Sequence, residues 1–129
     1  MVRVQRELTV DADRAFEVFC DVQALPRWVP GMASVETLAR HPNGRPSRVR
    51  FFAEREAGER VSYTLQYAYD LPGRRIMWSP PDAGAKGLRG FAHFEPIETG
   101  RCRMLYVIDA VDDADAALDA FESFLGTSA

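Results

Sequence analysis

Tyr63, Tyr67 and Tyr69 stand at alternate positions of the run Val61-Ser-Tyr-Thr-Leu-Gln-Tyr-Ala-Tyr69, and Tyr106 stands alone further on. On a strand that alternation puts Val61, Tyr63, Leu65, Tyr67 and Tyr69 on one face. A buried tyrosine hydroxyl needs a hydrogen-bond partner, which a ligand or a trapped water can supply; at a rim it reaches solvent instead. His93 has the chemistry of a general acid or base, but parity groups it with Arg89 and Glu95 on an outward face, and no spacing marks it as catalytic. His41 adjoins Pro42 in a turn and is expected to be solvated. Arg27, beside Trp28, and the pair Arg74-Arg75 could reach a ligand's acidic group, although exposed arginine is ordinarily plain surface. Cys20 and Cys102 form no CxxC or Cys/His spacing. Gly-x-Ser-x-Gly, His-Glu-x-x-His, phosphate-loop and dinucleotide signatures are missing, as is any ligand cluster for a metal, so neither a metal nor a cofactor is expected.

These side chains sit in a 129-residue chain, the length of one domain covering 1–129. Hydrophobic residues make up 47% and charged residues 27%, enough to build a core without crosslinks. The net charge of −3 argues against a nucleic-acid partner. No uncharged apolar run reaches the roughly 18–20 residues of a membrane span, and the charged start is unlike a secretion signal, so a cytoplasmic protein with reduced thiols and no integral membrane association is expected. Fifteen of the sixteen basic residues are arginine. Residues 104–129 carry −6 (five Asp and one Glu, no base), which leaves +3 on residues 1–103.

The periodicity then gives the elements that must position the candidates. Residues 2–10 alternate as a strand; Asp11 or Asp13 can cap a short helix whose Ala15, Phe16, Val18, Phe19 and Cys20 form its apolar side. Asp21 restarts a helical turn that Pro26 and Pro30 keep short, presenting Trp28. Strands are predicted over 33–40, 47–56, 59–70, 74–79, 87–96 and 101–110, separated by Pro42-Asn43-Gly44, Gly58, Pro72-Gly73, the stretch 80–87, and Gly100. A final helix has Asp112, Asp113 and Asp115 in its first turn and Ala114, Ala117, Leu118, Phe121, Phe124 and Leu125 as its stripe, with Gly126 ending it. Seven antiparallel strands that are apolar on one face must curl over that helix, which at about 20 Å is too short to fill the hollow alone.

The residues expected to line the hollow are Trp28, Phe51, Tyr63, Tyr67, Trp78, Phe94, Tyr106 and Phe121. Small residues at inward positions, Gly90 and Ala92 on the sheet and Ala114 and Ala117 on the helix, would leave room for a ligand or let the helix pack closely. The order of elements, with Asp21-Val-Gln-Ala-Leu-Pro-Arg-Trp-Val-Pro-Gly31 and Gly90-Phe-Ala-His-Phe-Glu-Pro96, resembles the START and Bet v 1 helix-grip proteins (SRPBCC) over nearly the whole chain. Their polyketide cyclase/dehydrase and coenzyme Q-binding branch is the nearest resemblance. It implies an α+β fold, β-α-α-β6-α, with a seven-stranded curved antiparallel sheet wrapped around the C-terminal helix. It also implies binding of a small hydrophobic molecule such as a lipid, quinone or polyketide in a cavity between sheet and helix, by a monomer or homodimer. Two alternatives stay open: a polyketide cyclase/dehydratase using His93 or a tyrosine as proton donor, and a protein-interaction module of the same fold. The last helix is shorter than such proteins usually carry, which favours a wide mouth or a dimer.

Overall fold

The computed structural model describes residues 2–29, 31–54, 58–81, 89–108 and 114–127. Seven strands follow the predicted succession: β1 Val2–Leu8, β2 Met32–Arg40, β3 Pro46–Glu54, β4 Arg60–Asp70, β5 Arg75–Ser79, β6 Gly90–Glu98 and β7 Arg101–Ile108. They form one antiparallel sheet in the order β1-β7-β6-β5-β4-β3-β2. Hairpin connections make each strand from β2 to β7 the neighbour of the next, and β1 closes the far side against β7. The helices are α1 Ala12–Cys20, α2 Leu25–Trp28, reached through a single tight turn Val22–Ala24, and α3 Ala114–Thr127.

Several boundaries differ from the sequence reading for local reasons. β6 runs past Pro96, where the prediction stopped it, because a register shift between Pro96 and Glu98 lets the proline sit at an irregularity of the ladder. α3 continues through Gly126 to Thr127, so the glycine does not end it. Asp11 occupies the cap position of α1, but no side-chain cap bond forms; its carboxylate accepts the Gly100 N–H at 2.6 Å and ties α1 to the β6–β7 turn. In the β4–β5 turn the left-handed conformation falls on Arg74 rather than on Gly73. The predicted strand ends at 55–56, 87–88 and 109–110, with Asp112 and Asp113, lie outside the described residues.

The sheet turns one face inward, onto α1, α2 and α3, as an antiparallel sheet with one apolar face must. Val49, Phe51, Ile76, Ala92, Phe94, Cys102 and Met104 on that face are closed to solvent together with Ala15 and Phe16 of α1 and Leu118, Phe121 and Leu125 of α3. α3 lies on β1, α1 and α2. Charge fixes it there: Arg6 of β1 points inward and its guanidinium meets Asp119 at 2.6 Å, Glu122 at 3.5 Å and Asp115 at 3.6 Å. The acidic stretch read from the sequence therefore has a cation of the sheet beneath it.

Candidate functional site

Register decides which inward side chains touch. Phe51 stands directly opposite Tyr63, Tyr67 opposite Trp78, Trp78 opposite Gly90, and Ala92 opposite Tyr106. Cross-strand neighbours at such spacing bring rings into contact. Phe51 and Tyr63 stack at 5.3 Å between centroids, Trp78 meets Tyr106 at 6.0 Å, and Tyr67 meets Trp78 at 6.5 Å. The result is an aromatic wall across β3 to β7.

The eight residues expected to line a cavity divide into two groups. Phe94 and Phe121 have no exposed surface, Phe51 has 1%, and Tyr67 and Trp28 are also buried. Tyr63, Trp78 and Tyr106 are half-buried. The first group is joined by Phe19, which the sequence reading put on the apolar side of α1 but not in the site. Phe19 lies 5.2 Å from Phe121, 5.7 Å from Phe94, 5.8 Å from Trp28, 5.9 Å from Trp78 and 6.3 Å from Tyr106. Beneath α3, then, rings fill the interior. The sequence signal for Phe19 was its place on the inward stripe of a short helix; its central position needed five other elements, α2, β5, β6, β7 and α3, to converge on it.

Gly90 is expected to leave room for a ligand or to let the helix pack closely. Instead the Trp78 indole occupies that room: a Cβ built on Gly90 would stand 2.5 Å from the Val107 carbonyl oxygen and 2.9 Å from Trp78 Cζ2. The missing side chain lets the indole lie flat on the sheet. One buried polar atom in this region stands out. Trp28 Nε1, a donor on a ring wedged between Phe19 and Phe121, has no hydrogen-bond partner among the described residues.

At the other end of the wall the polar groups are already engaged. The Tyr69 hydroxyl donates to the Pro46 carbonyl at 2.8 Å. His41, expected in solvent, is half-buried; its Nε2–H donates to the Tyr67 carbonyl at 2.8 Å and its ring meets Tyr69 edge-on at 5.7 Å. The Arg45 guanidinium lies over both Phe16 and Tyr69 and pairs with Glu17 at 2.6 Å, whose hydrogen bond pushes its pKa above the usual value. Burial raises the hydroxyl pKa of Tyr67 and Tyr69. The arginines singled out in the sequence, Arg27, Arg74 and Arg75, do not converge on the wall. Arg74 pairs with Asp13 at 2.5 Å, and Arg75 extends over the Phe91 ring on the outer face, 5.3 Å from its centroid. Arg27 is exposed on α2. His93 is opposite Arg75 in the ladder, so parity had its face right. One open groove of about 550 Å³ lies beside the start of α1, and another of about 450 Å³ is bordered by Ala68, Met77 and Phe91 together with Tyr67, Trp78 and Gly90.

The two cysteines are free and buried. Burial pushes the Cys20 thiol up to about 12 and the Cys102 thiol up to about 11, from an ordinary value of 9.0. The unfolded chain ionises first, so it holds fewer protons than the folded one above pH 9, and stability must fall as pH rises from 9 toward those folded values. For Cys20 the expected slope approaches 1.4 kcal/mol per pH unit, about the free energy of one proton. Urea midpoints measured at about pH 8 and about pH 10.5 should diverge in the wild type and less so in Cys20→Ala. Equal pH sensitivity in the variant would show that this thiol is not responsible.

The sequence family described as polyketide cyclase / dehydrase and lipid transport matches residues 1–126. A START superfamily protein from Mycobacterium smegmatis superposes with a TM-score of 0.79 at 16% identity, covering 99% of this chain and 98% of that one. A protein from Deinococcus radiodurans gives a TM-score of 0.74 at 23% identity, with 98% and 95% covered. The Zhui aromatase/cyclase from a Streptomyces species gives 0.64 at 20% identity, with 98% and 86% covered. No curated protein matches the chain in sequence. The architecture is the α+β helix-grip fold of these START neighbours. Among the described residues no helix is long and apolar enough to cross a membrane.

Proposed function

The chain belongs to the polyketide cyclase / dehydrase and lipid transport family, and from that membership we propose that it binds a small hydrophobic molecule, of lipid, quinone or polyketide type, against the inner wall of its sheet. One observation carries this reading: Tyr63, Trp78 and Tyr106 face inward yet stay half-buried, while Phe51, Phe94 and Phe121 are closed to solvent. A flat ligand laid on those rings would bury apolar area on both surfaces, worth about 25 cal/mol per Å² before the cost of association. Phe51 belongs to the wall through its stack on Tyr63, while Phe94 and Phe121, closed to solvent beneath α3, act on binding only through its shape. Trp28 Nε1 adds a preference within this class, because a ligand oxygen reaching it would relieve an unmet donor costing about 1–3 kcal/mol. Two free, buried thiols suit a reducing compartment such as the cytoplasm.

Native mass spectrometry of the protein purified from its own source is the direct test, followed by titration with a short-chain ubiquinone, a fatty acid and an anthraquinone. The indole N–H resonances of Trp28 and Trp78 report each titration separately. A retained hydrophobic compound, or a saturable shift of both indoles, is expected, and Trp78→Leu should weaken binding by about tenfold or more. Preparations free of any such compound, with both indoles unmoved by all three probes, would overturn the proposal.

A further inference from the structure

The two ends of the sheet are built differently. β2 pairs with β3 through three register shifts, between Met32 and Ser34, Thr37 and Ala39, and Ala39 and Arg40. Such irregularities twist an edge away from new partners. β1 pairs with β7 over all seven residues with no shift, from Val2 opposite Ile108 to Leu8 opposite Cys102. Its other edge pairs with no strand among the described residues. It carries no proline, and its outward side chains are Arg3, Gln5 and Glu7, all exposed.

Those three side chains are self-complementary. We propose that β1 is a homodimer interface in which two copies pair antiparallel through this edge, with the two-fold axis at Gln5. In that register Arg3 of each copy stands opposite Glu7 of the other, and Gln5 stands opposite its own counterpart, where two amides can exchange hydrogen bonds. Arg3 has no ion pair among the described residues and gains one; Glu7, held at 2.5 Å by Arg101 of its own chain, presents the acid. On the inward side Arg6 is committed to Asp115, Asp119 and Glu122, so α3 keeps its seat when the strands join. The contact is isologous and closes at two copies, joining the sheets edge to edge. It is independent of any ligand on the inner wall.

Sedimentation velocity across tens to hundreds of micromolar protein tests this. The wild type should show a concentration-dependent dimer. Arg3→Glu places acid opposite acid, and Gln5→Lys places two ammonium groups at the axis; each should weaken dimerisation by about tenfold or more. Arg3→Glu combined with Glu7→Arg restores opposite charges across the axis and should restore the dimer. Gln5→Lys leaves the Arg101 pair untouched, and thermal melts will show that each variant is folded. A wild type that stays monomeric over this range, or a dimer indifferent to both Arg3→Glu and Gln5→Lys, would overturn the assignment.

Discussion

Alanine at Phe94 is expected to lower the unfolding free energy by about 3–5 kcal/mol, read as a fall in the urea midpoint at unchanged slope. Phe94 has no exposed surface and sits opposite Met104 in the middle of β6. Its ring touches those of Phe19 at 5.7 Å, Phe16 at 6.1 Å and Phe121 at 6.4 Å, so it joins the sheet to both α1 and α3. Truncation removes the transfer free energy of a phenyl ring and leaves a hole bounded by three elements that cannot all move in together. Domains of this size are stable by only about 5–15 kcal/mol in total, so the variant should sit near its unfolding threshold at physiological temperature. A loss below about 1 kcal/mol would mean that the rings beneath α3 close up freely. The interior would then be a soft cluster, and the separation drawn between supporting rings and the half-open wall would fail.

Valine at Gly90 should have the second largest effect, and it acts on the site as well as on the fold. Its Cβ would fall 2.5 Å from a backbone oxygen, that of Val107, and 2.9 Å from the Trp78 indole. The carbonyl belongs to the β6–β7 ladder and cannot yield without breaking pairing, so the indole must turn. Overpacking of this kind costs about 1–3 kcal/mol. Trp28 and Trp78 are the only tryptophans, and in a Trp28→Phe background the fluorescence belongs to Trp78 alone. In that background Gly90→Val should shift the emission toward longer wavelength as the ring leaves its bed. Affinity for any probe that binds the wall should drop with it. Unchanged emission and melting temperature would show that the indole does not rest on Gly90, removing the geometric basis for a flat wall.

Of the candidate site, parity gave the orientation but not the role. The alternation through Val61 to Tyr69 put Tyr63 and Tyr67 on the inward face, and the structure has them there. Nothing in that alternation distinguishes Tyr67, which is buried, from Tyr63, which is not. The same holds for charge. Arg74 and Arg75 are adjacent in sequence, yet one pairs with Asp13 of α1 and the other covers Phe91 on the opposite face. His41 looked like a turn residue because its neighbours are turn residues; its partner, the Tyr67 carbonyl, is 26 positions away.

The fold itself was written locally. The succession of strands and their faces follow from a two-residue period broken by glycine and proline, and the last helix from its spaced apolar stripe, because each depends on side chains within a few residues of one another. What the tertiary structure alone decided is how the inward space is shared: Phe19 at the meeting point of five rings, Trp78 in the gap left by Gly90, and Arg6 beneath the acids of α3. Those contacts join residues up to 116 positions apart. A repeat pattern fixes the direction in which a side chain leaves the backbone, whereas the volume it finds there is set by whichever distant elements arrive, and only close packing of all of them determines which rings are sealed and which stay open.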